Sequence, residues 1–442
     1  MTYNEENNKI YESYIRRNFL IKKDELIGED RIPSVEIILT SKCDLKCQYC
    51  YLNMYRDKLY PQELDKKDII LNNLKIFLDY LFKEKFICKL EIFSGELFSQ
   101  DVGYEALNLI YEYVVKTPNV IKSICIPSNM NFIGNEQKTN MVEDILEKFE
   151  SILVPIHISC SFDGPYLLEN RQFCNNKENR NEEYYNKLFN FIKKHHIGLH
   201  PMLSANGIEK WPQNYDWFIE KIKQYNLGGE FYLEPMMLEV RNDDWDDNSI
   251  NHLFKFYDHL FIRLIDKFGS KKKFIKALYG EQNKSNFQYC NIKLDPNSQS
   301  NKKLSCAIQN TLHVRMGDLS VVHCHRLGYD ELLPFKFKVE NEEIVGIETL
   351  SDPGLFLTIK TMQNTCLPKC NTCKFKEFCA KGCLGAQYEK NKDLFYPLES
   401  VCKMQYKKME YLINKYKELE LFDLIRPYLD EPSKKYFNDI LK

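Results

Sequence analysis

The stretch Cys43-Asp-Leu-Lys-Cys47-Gln-Tyr-Cys50 decides how this chain is interpreted, because its C-x3-C-x2-C spacing puts three thiols on one short loop. A cubic iron–sulfur cluster is normally held by four cysteine thiolates, so three cysteines hold three irons and leave the fourth iron open to a small chelating molecule. A zinc site needs four ligands and usually comes as paired C-x2-C units. The trio therefore favours a cluster over part of a zinc knuckle or three buried cysteines that happen to lie close together.

The same loop, with Tyr49 just before its third cysteine, resembles the cluster loop of the radical S-adenosylmethionine (radical SAM) superfamily. The resemblance implies that Cys43, Cys47 and Cys50 hold a catalytic 4Fe–4S cluster. It implies that S-adenosylmethionine chelates the open iron through its amino and carboxylate groups. Reductive cleavage of the sulfonium would then release a 5′-deoxyadenosyl radical.

Bulk composition describes a globular protein of 442 residues, with 44% hydrophobic and 28% charged residues, which is long enough for two domains. The net charge of −2 gives no electrostatic reason to expect a nucleic-acid partner. The N-terminus is polar, and no apolar run reaches membrane-spanning length. We therefore expect a cytoplasmic protein with no membrane partner, in which most of the sixteen cysteines are metal ligands and not disulfides.

After Pro33 the sequence alternates between apolar, β-branched runs and amphipathic segments. The runs predict strands at Val35–Leu39, Leu90–Phe93, Ser123–Pro127, Val154–Ser161, Gly198–Ser204 and Phe231–Val240. The amphipathic segments predict helices at Leu64–Phe82, Tyr104–Val114, Met141–Phe149, Tyr184–Ile192 and Tyr215–Ile222. A repeated strand–helix pattern indicates parallel strands with right-handed crossovers. We expect an α/β fold, a partial (β/α)6 TIM-like barrel, with the three-cysteine loop at the carboxyl ends of the strands.

Four segments are predicted along the chain. They are an N-terminal helical segment (1–33), the barrel (34–280), a cysteine-rich cap (281–405) and C-terminal helices (406–442). One further amphipathic helix is expected from about Asn248 to Leu278. Beyond residue 303 the secondary structure is expected to be short and irregular.

A second cysteine group lies in the predicted cap. Its members are Cys306, Cys324, Cys370, Cys373, Cys379, Cys383 and Cys402. Seven cysteines exceed one tetrahedral site and nearly fill two four-ligand sites. Spacing alone leaves zinc and iron–sulfur open. The catalytic cluster predicted in the same chain favours iron–sulfur, since further clusters would carry electrons.

This pattern resembles the SPASM extension of radical SAM peptide-modifying enzymes, in which seven cysteines hold two auxiliary 4Fe–4S clusters, making three clusters in all. The resemblance implies an inner cluster short of one ligand, which Cys290, Cys366 or an open position for a substrate thiolate would complete. The family usually has a glycine five residues before the second cysteine, where this chain has Leu319. By this resemblance the outer cluster is held by Cys370, Cys373, Cys379 and Cys402, and the inner one by Cys306, Cys324 and Cys383.

Three strand ends resemble the family's cofactor pocket. Ser94-Gly95-Glu96 resembles the Gly-Gly-Glu-Pro motif, whose carbonyls and carboxylate receive an ammonium group. Ser128-Asn129 resembles Thr-Asn-Gly, with Met130 in the glycine place. Ser161-Phe162-Asp163-Gly164-Pro165 resembles Ser-Leu-Asp-Gly-Pro, with Ser161 near the ribose, although Asp-Gly-Pro alone also makes a turn. The family's carboxylate-binding arginine falls on Phe173 here, so the nearest arginine, Arg171, is the candidate.

Other polar residues have structural readings beside functional ones. Cys88, Cys125 and Cys160 are expected to be small buried residues, and His157 a core histidine. In the sixth predicted strand one of Glu234, Glu239 and Arg241 touches cofactor or substrate, or they form a structural ion pair. His325 stands where sulfatase-maturing relatives carry an aspartate base, which makes the sequence more like a peptide maturase.

The resemblance implies an enzyme, a radical SAM peptide maturase. Its substrate is expected to be a ribosomally made precursor peptide, from which it abstracts a hydrogen to install a crosslink. The bond expected is a cysteine thioether, or another carbon–carbon or carbon–oxygen side-chain link. Formylglycine generation in a sulfatase and peptide epimerisation with Cys174 as hydrogen donor are the alternatives. A zinc-binding or electron-transfer protein is the non-enzymatic one.

The expected partners are the peptide and an electron donor, either a reductase with flavodoxin or a ferredoxin. About thirty residues precede the first predicted strand, too few for a winged-helix leader-binding domain. Leader recognition is therefore assigned to the N-terminal helix, the cap, the C-terminal helices or a separate leader-binding protein.

Overall fold

The computed structural model describes residues 3–26, 32–93, 95–174, 180–227, 237–238, 244–280, 292–294, 306–362, 367–379 and 382–441. The strands are β1 (Ser34–Ile38), β2 (Leu45–Cys47), β3 (Cys88–Phe93), β4 (Ile121–Ser128), β5 (Ile156–Cys160), β6 (Arg171–Phe173), β7 (Gly198–Leu199), β8 (Met202–Leu203), β9 (Met237–Leu238), β10 (Thr311–Arg315), β11 (Ser320–Val322), β12 (Phe335–Glu340) and β13 (Glu343–Thr349). The helices are α1 (Tyr3–Asn18), α2 (Leu52–Leu59), α3 (Lys67–Glu84), α4 (Asp101–Lys116), α5 (Glu136–Ser151), α6 (Glu182–His195), α7 (Trp211–Gln224), α8 (Asp247–Phe268), α9 (Lys271–Tyr279), α10 (Pro353–Thr361), α11 (Pro368–Asn371), α12 (Leu384–Asn391), α13 (Glu399–Glu418), α14 (Phe422–Ile425) and α15 (Glu431–Leu441).

The chain forms two compact units. The first contains Met1–Ser161, Gln172–Ile197 and Ala307–Thr361, and the second contains Phe162–Arg171, Gly198–Cys306 and Met362–Lys442. The four predicted segments remain a prediction, since much of the stretch around residue 280–305 lies outside the described residues.

A mixed sheet forms the first unit. Within it the strand order is β13-β12-β11-β10-β1-β3-β4-β5. Strand β1 is parallel to both β3 and β10, and β3, β4 and β5 are parallel to one another. The remaining pairs from β10 to β13 are antiparallel. The α/β class and the parallel core agree with the prediction.

Alternation along the parallel strands gives this sheet one apolar face and one polar face. Side chains such as Val35, Ile37, Leu90 and Ile124 are buried on the first. Helix α3 has a matching apolar face, with Ile70, Leu74, Phe77, Leu78 and Leu81 at most 1% exposed.

The other face carries a row of polar side chains at one level. Register places Glu36 beside His313 and Glu91, then Glu91 beside Cys125, and Cys125 beside His157. Cys125 and His157 are exposed, so the expectation that both are buried is wrong, whereas Cys88 and Cys160 are buried as expected.

The second unit is mainly helical. It holds β7, α7, α8, α9 and the helices from α11 to α15, together with a short parallel pair of β8 and β9. The single helix expected from Asn248 to Leu278 is in fact two, α8 and α9. Gly269 ends α8 in the left-handed conformation with φ of 71°, and Ser270 caps α9 by accepting a hydrogen bond from the Lys273 amide.

The region after residue 303 is more regular than predicted. Strands β12 and β13 form a hairpin whose turn, Asn341-Glu342, has φ of 51° and 63°. Two successive positive φ angles suit the right-handed twist of a hairpin. The alternation in Phe335-Lys-Phe337-Lys-Val339-Glu is a strand signal that the sequence interpretation missed. Among the described helices, none is both long and apolar enough to cross a membrane.

Candidate functional site

The three-cysteine loop follows β1 at the carboxyl end of the parallel strands. Cys43, Cys47 and Cys50 are all partly exposed free thiols. The Leu45 amide donates to Cys43 Sγ at 3.4 Å, and the Cys50 amide donates to the Cys47 carbonyl at 3.0 Å. Burial, with the nearby charges of Glu96 and Cys47, raises the pKa of the Cys43 thiol well above its ordinary value. A thiol in such surroundings becomes a thiolate when a metal binds it, so the loop fits a cluster.

Gly95 fixes this loop against the end of β3. The Gly95 amide donates to the Thr40 carbonyl at 2.8 Å, and the Glu96 amide donates to the Lys42 carbonyl at 2.9 Å. A Cβ on Gly95 would lie 2.1 Å from the Lys42 carbonyl oxygen and 2.6 Å from that of Ser41. Only glycine allows the two backbones to approach this closely, one residue before Cys43.

Glu96, which follows Gly95, is buried at 4% exposure and tied to the end of β4. Its Oε1 accepts from the Ser128 hydroxyl at 2.9 Å, and its Oε2 accepts from the Asn129 amide at 2.6 Å. Burial raises its pKa to about 7, and the negative charge of Asp44 acts in the same direction, while the hydrogen bonds from Asn129 and Ser128 oppose the rise. A cationic ligand would favour the charged carboxylate.

Asp44, inside the cluster loop, supplies a second carboxylate that sequence reasoning did not single out. It accepts from the Asn129 side chain at 2.7 Å and from the Asn131 side chain at 2.9 Å. The Cys174 amide donates to its carbonyl at 2.8 Å. Its position between Cys43 and Cys47 is the only sequence signal of its role.

An open cavity of about 390 Å³ lies between these groups, lined by Asp44, Glu96, Asn129, Asn131 and Lys138 among others. Two carboxylates on one wall suit a ligand with positive charge. S-adenosylmethionine carries an ammonium and a sulfonium, so the residues present fit that cofactor.

Arg180 stands behind this wall and was also missed. It is buried at 7% exposure, and its Nη2 donates to Asn131 Oδ1 at 3.2 Å. Its guanidinium lies 4.8 Å from the ring centroid of Phe173, the position where the family has its arginine. No local pattern around Arg180 would have revealed it, because it reaches the wall from the start of α6.

His325 lies beside the ends of β1 and β3. Its ring stacks on Phe93 with centroids 3.9 Å apart and planes 6° apart. Its Nδ1 is 3.3 Å from Glu36 Oε1, and His313 Nδ1 is 3.3 Å from the same oxygen. Burial opposes ionisation of Glu36, but the two histidines lower its pKa, whereas burial lowers the pKa of His313 to about 3. His325, with a side chain 25% exposed, is therefore a proton acceptor held by a buried carboxylate.

The other predicted pocket residues are distributed as follows. Tyr49 lies within the loop and is half-buried, and the Ser161 amide donates to the Ser128 carbonyl at 2.7 Å. Arg171 belongs to the second unit, where its Nε lies 2.9 Å from Asp163 Oδ2 and both side chains are buried. Ser94, Glu234, Glu239 and Arg241 lie outside the described residues.

The predicted outer set, Cys370, Cys373, Cys379 and Cys402, lies in the second unit. The Cys373 amide donates to the Cys370 carbonyl at 3.1 Å, so these two share a turn. Burial raises the pKa of Cys402, and charges on Cys379 and Cys373 act in the same direction. Two buried amides near these cysteines have side-chain atoms with no hydrogen-bond partner among the described residues, Gln387 and Gln405. Orphaned polar groups beside converging thiols fit a bound cluster.

The predicted inner set is divided between the units, with Cys324 in the first and Cys306 and Cys383 in the second. Its assignment stays a prediction, and Cys290 and Cys366 lie outside the described residues. Among the described side chains, no three of His, Cys, Asp and Glu form a group that could hold a single metal ion.

No family model matches this sequence, and no curated protein matches it significantly. Solved structures do. Native anSMEcpe with bound AdoMet matches at 15% identity over 88% of this chain and 100% of that chain, with a TM-score of 0.52. A histidine-tagged form of anSMEcpe with bound AdoMet matches at 15% over 89% and 98%, with a TM-score of 0.51. Streptococcus suis SuiB bound to S-adenosylmethionine matches at 14% over 84% and 75%, with a TM-score of 0.46.

At such identities the first two likenesses establish a common fold. The chain has the α/β fold of the radical SAM proteins with a cysteine-rich SPASM-type region, as its cysteine pattern predicts. In particular, it shares the fold of anSMEcpe, an anaerobic sulfatase-maturating radical SAM enzyme.

Proposed function

We propose that this chain is a radical SAM enzyme that modifies a ribosomally made precursor peptide. The observation that carries the proposal is the placement of the three-cysteine loop against a cavity walled by Asp44 and Glu96. The fold shared with anSMEcpe, whose structure contains AdoMet, supports it. A non-enzymatic zinc or electron-transfer protein gives no reason for two carboxylates to be held beside three cysteines.

When bound, a 4Fe–4S cluster on Cys43, Cys47 and Cys50 supplies the electron that cleaves S-adenosylmethionine. The chain's own groups orient the cofactor. Asp44 and Glu96 attract its cationic groups, and Asn129 and Asn131 hold Asp44 in place. Gly95 keeps the loop and Glu96 in register, so that charge and cluster face the same cavity. Tyr49, Ser94, Ser161 and Arg171 are proposed cofactor contacts on the family resemblance.

We assign two auxiliary 4Fe–4S clusters to the cysteines of the second group, with the outer set supported by the shared turn of Cys370 and Cys373. An electron donor of the flavodoxin or ferredoxin class supplies the reducing electron. A separate leader-binding protein is one way to recognise the peptide.

The modification we favour is a thioether crosslink. It removes a hydrogen atom from a substrate carbon and a proton from a cysteine thiol, forms the carbon–sulfur bond and leaves one electron for an acceptor. His325, held by Glu36 at the end of β1, is placed to take that proton.

A second candidate, oxidation of a cysteine or serine to formylglycine, uses the same proton acceptor and is favoured by the fold shared with anSMEcpe. Epimerisation has its own supporting observation. Cys174 is exposed, with Sγ 3.6 Å from the Cys43 carbonyl oxygen, and could donate a hydrogen atom.

Anaerobic purification tests the proposal. We expect brown protein with about twelve irons per chain, as three four-iron clusters require. After dithionite reduction it should convert S-adenosylmethionine to 5′-deoxyadenosine, and Cys47→Ala should abolish this conversion. Colourless protein containing zinc, or product formation unaffected by Cys47→Ala, would refute the enzyme.

Mass spectrometry of a cysteine-containing peptide after turnover separates the modifications. A thioether removes two hydrogen atoms and keeps sulfur, formylglycine formation from cysteine loses sulfur, and epimerisation leaves the mass unchanged. His325→Phe keeps the stacking on Phe93 and removes the proton acceptor, so it should slow the first two reactions while leaving iron content intact.

A further inference from the structure

Lys408 is a buried cation in the second unit. It lies on α13, which also carries Cys402, and it is only 4% exposed. Its neighbours on the inner face of the helix include Met404, Met409 and Leu412, which are all buried. An ammonium taken out of water into such surroundings is strongly destabilising unless an anion is close.

The described part of the chain offers no carboxylate for this charge. Lys403 and Lys407, on the same helix, both pair with Asp247 at the surface, and Lys415 pairs with Asp258 and Glu418. Lys408 has no such ion pair or hydrogen bond among the described residues. The negative group that acts on it is the Cys379 thiolate, which opposes the lowering by burial of the Lys408 pKa to about 8.

Helix geometry places Lys408 on the side of the cysteines. Six residues separate it from Cys402, so the two Cα atoms are about 9 Å apart along the axis. Side chains on a helix tilt toward its N-terminus, which directs the lysine stem back toward the turn that carries Cys402. Gln405 lies between them, buried at 3% exposure, with its Oε1 unpartnered among the described residues.

We propose that Lys408 is the internal counter-ion of the outer auxiliary cluster and that its charge sets the reduction potential of that cluster. The inference rests on the proposed assignment of Cys370, Cys373, Cys379 and Cys402 to one 4Fe–4S cluster. Four thiolates make such a cluster a net anion, and one-electron reduction makes it more negative. A fixed cation beside it favours the reduced state, because net charge and hydrogen bonds to sulfur set the potential of iron–sulfur clusters.

The test compares Lys408→Met with Lys408→Arg and with Lys407→Met. Methionine keeps most of the stem without the charge, and arginine keeps the charge. Lys407 is the matched control, since it is the next residue on the same helix and its side chain is 42% exposed in an ion pair with Asp247. All are made in full-length protein with Cys43, Cys47 and Cys50 replaced by alanine, which silences the catalytic cluster. The outer cluster is the electron paramagnetic resonance signal that disappears on adding Cys379→Ala.

Redox titration of that signal is the readout. We expect Lys408→Met to lower the equilibrium constant for reduction at least tenfold, which is about 59 mV for one electron. Lys408→Arg and Lys407→Met should stay within a factor of three of the parent. Loss of the outer signal alone in Lys408→Met, with the other auxiliary signal retained, also supports the proposal.

An unchanged potential in Lys408→Met, or an equal shift in Lys407→Met, overturns the counter-ion role while leaving the cluster assignment in place. If the parent shows no signal that depends on Cys379, the cluster assignment itself fails. Lys408→Gln repeats the measurement if methionine prevents folding, and loss of both auxiliary signals in every neutral variant but not in Lys408→Arg would mean that Lys408 is needed for folding and contradict a role confined to the outer cluster.

Discussion

Gly95→Ala should disconnect the cluster loop from the cofactor cavity. The added methyl carbon would lie 2.1 Å from the Lys42 carbonyl oxygen and 2.6 Å from the Ser41 carbonyl oxygen. Both contacts are to backbone, so no side chain can rotate away and the two segments must separate. Separation breaks the hydrogen bonds from the Gly95 amide to Thr40 and from the Glu96 amide to Lys42.

The cost can be worked from these contacts. Overpacking typically destabilises by about 1–3 kcal/mol. Each lost backbone hydrogen bond adds about 1 kcal/mol. We therefore expect Gly95→Ala to lose about 3–5 kcal/mol of unfolding free energy, a large fraction of the stability of a typical domain. Because the shift displaces the residue before Cys43, iron bound by the catalytic loop should fall with it.

Gly134→Ala is the matched control in the same unit. A Cβ at Gly134 meets nothing within 4 Å, and its φ is not positive. Replacing such a glycine should change stability by less than about 1 kcal/mol, and in the stabilising direction. Urea unfolding followed by circular dichroism gives the free energies, and iron analysis of anaerobically prepared protein gives the loading. The reasoning is refuted if Gly95→Ala is as stable as Gly134→Ala and binds as much iron.

Three further outcomes follow from individual contacts. Glu96 has a folded-state pKa of about 7 against an ordinary value of 4.5, so the folded protein holds its proton more tightly and loses about 3 kcal/mol as pH rises from 4.5 through 7; Glu96→Gln should flatten this decline in urea titrations at pH 5 and pH 8, and an equal decline in both proteins would contradict it. Arg171→Met should destabilise by about 3 kcal/mol, because it leaves the buried Asp163 carboxylate, now 2.9 Å from Arg171 Nε, without its cation; adding Asp163→Asn should recover part of that loss, and no recovery would show that the loss is one of packing. Cys402→Ser should remove up to about four irons per chain without reducing 5′-deoxyadenosine formation, and unchanged iron would remove Cys402 from the outer set.

The parallel core could be predicted because its strands are buried by helices and read as continuous apolar runs. Strand β1 lies at Ser34–Ile38, one residue from its predicted bounds. Helix α3 presents the predicted apolar face, since its spacing follows the helical period. The hairpin of β12 and β13 was missed because charged residues alternate with Phe335 and Phe337, which makes the segment as a whole less apolar without removing the period of two.

Two turns show what local sequence could not supply. Met130 and Leu319 stand where the family resemblance expects glycine, and both have positive φ, 60° and 58°. A left-handed non-glycine residue costs about 1–2 kcal/mol. Both side chains are buried, at 0% and 2% exposure, and this burial offsets the strain. The backbone path of each turn is thus maintained by tertiary packing, and only the resemblance indicated that a turn was needed there.

The cysteine motif identifies the chemistry but does not position it. The loop is held from one side by Gly95, which bonds to Thr40, and from the other by Cys174, whose amide bonds to Asp44. Those partners lie more than fifty residues away in sequence, and Asn129 and Asn131, which fix the Asp44 carboxylate, are more distant than Gly95. The charge that attracts the cofactor therefore exists only after the ends of β3 and β4 have reached the loop. A change at any of these ends should weaken cofactor binding even when all three cysteines remain, which is why Gly95, with no side chain of its own, is the sharpest place to test the site.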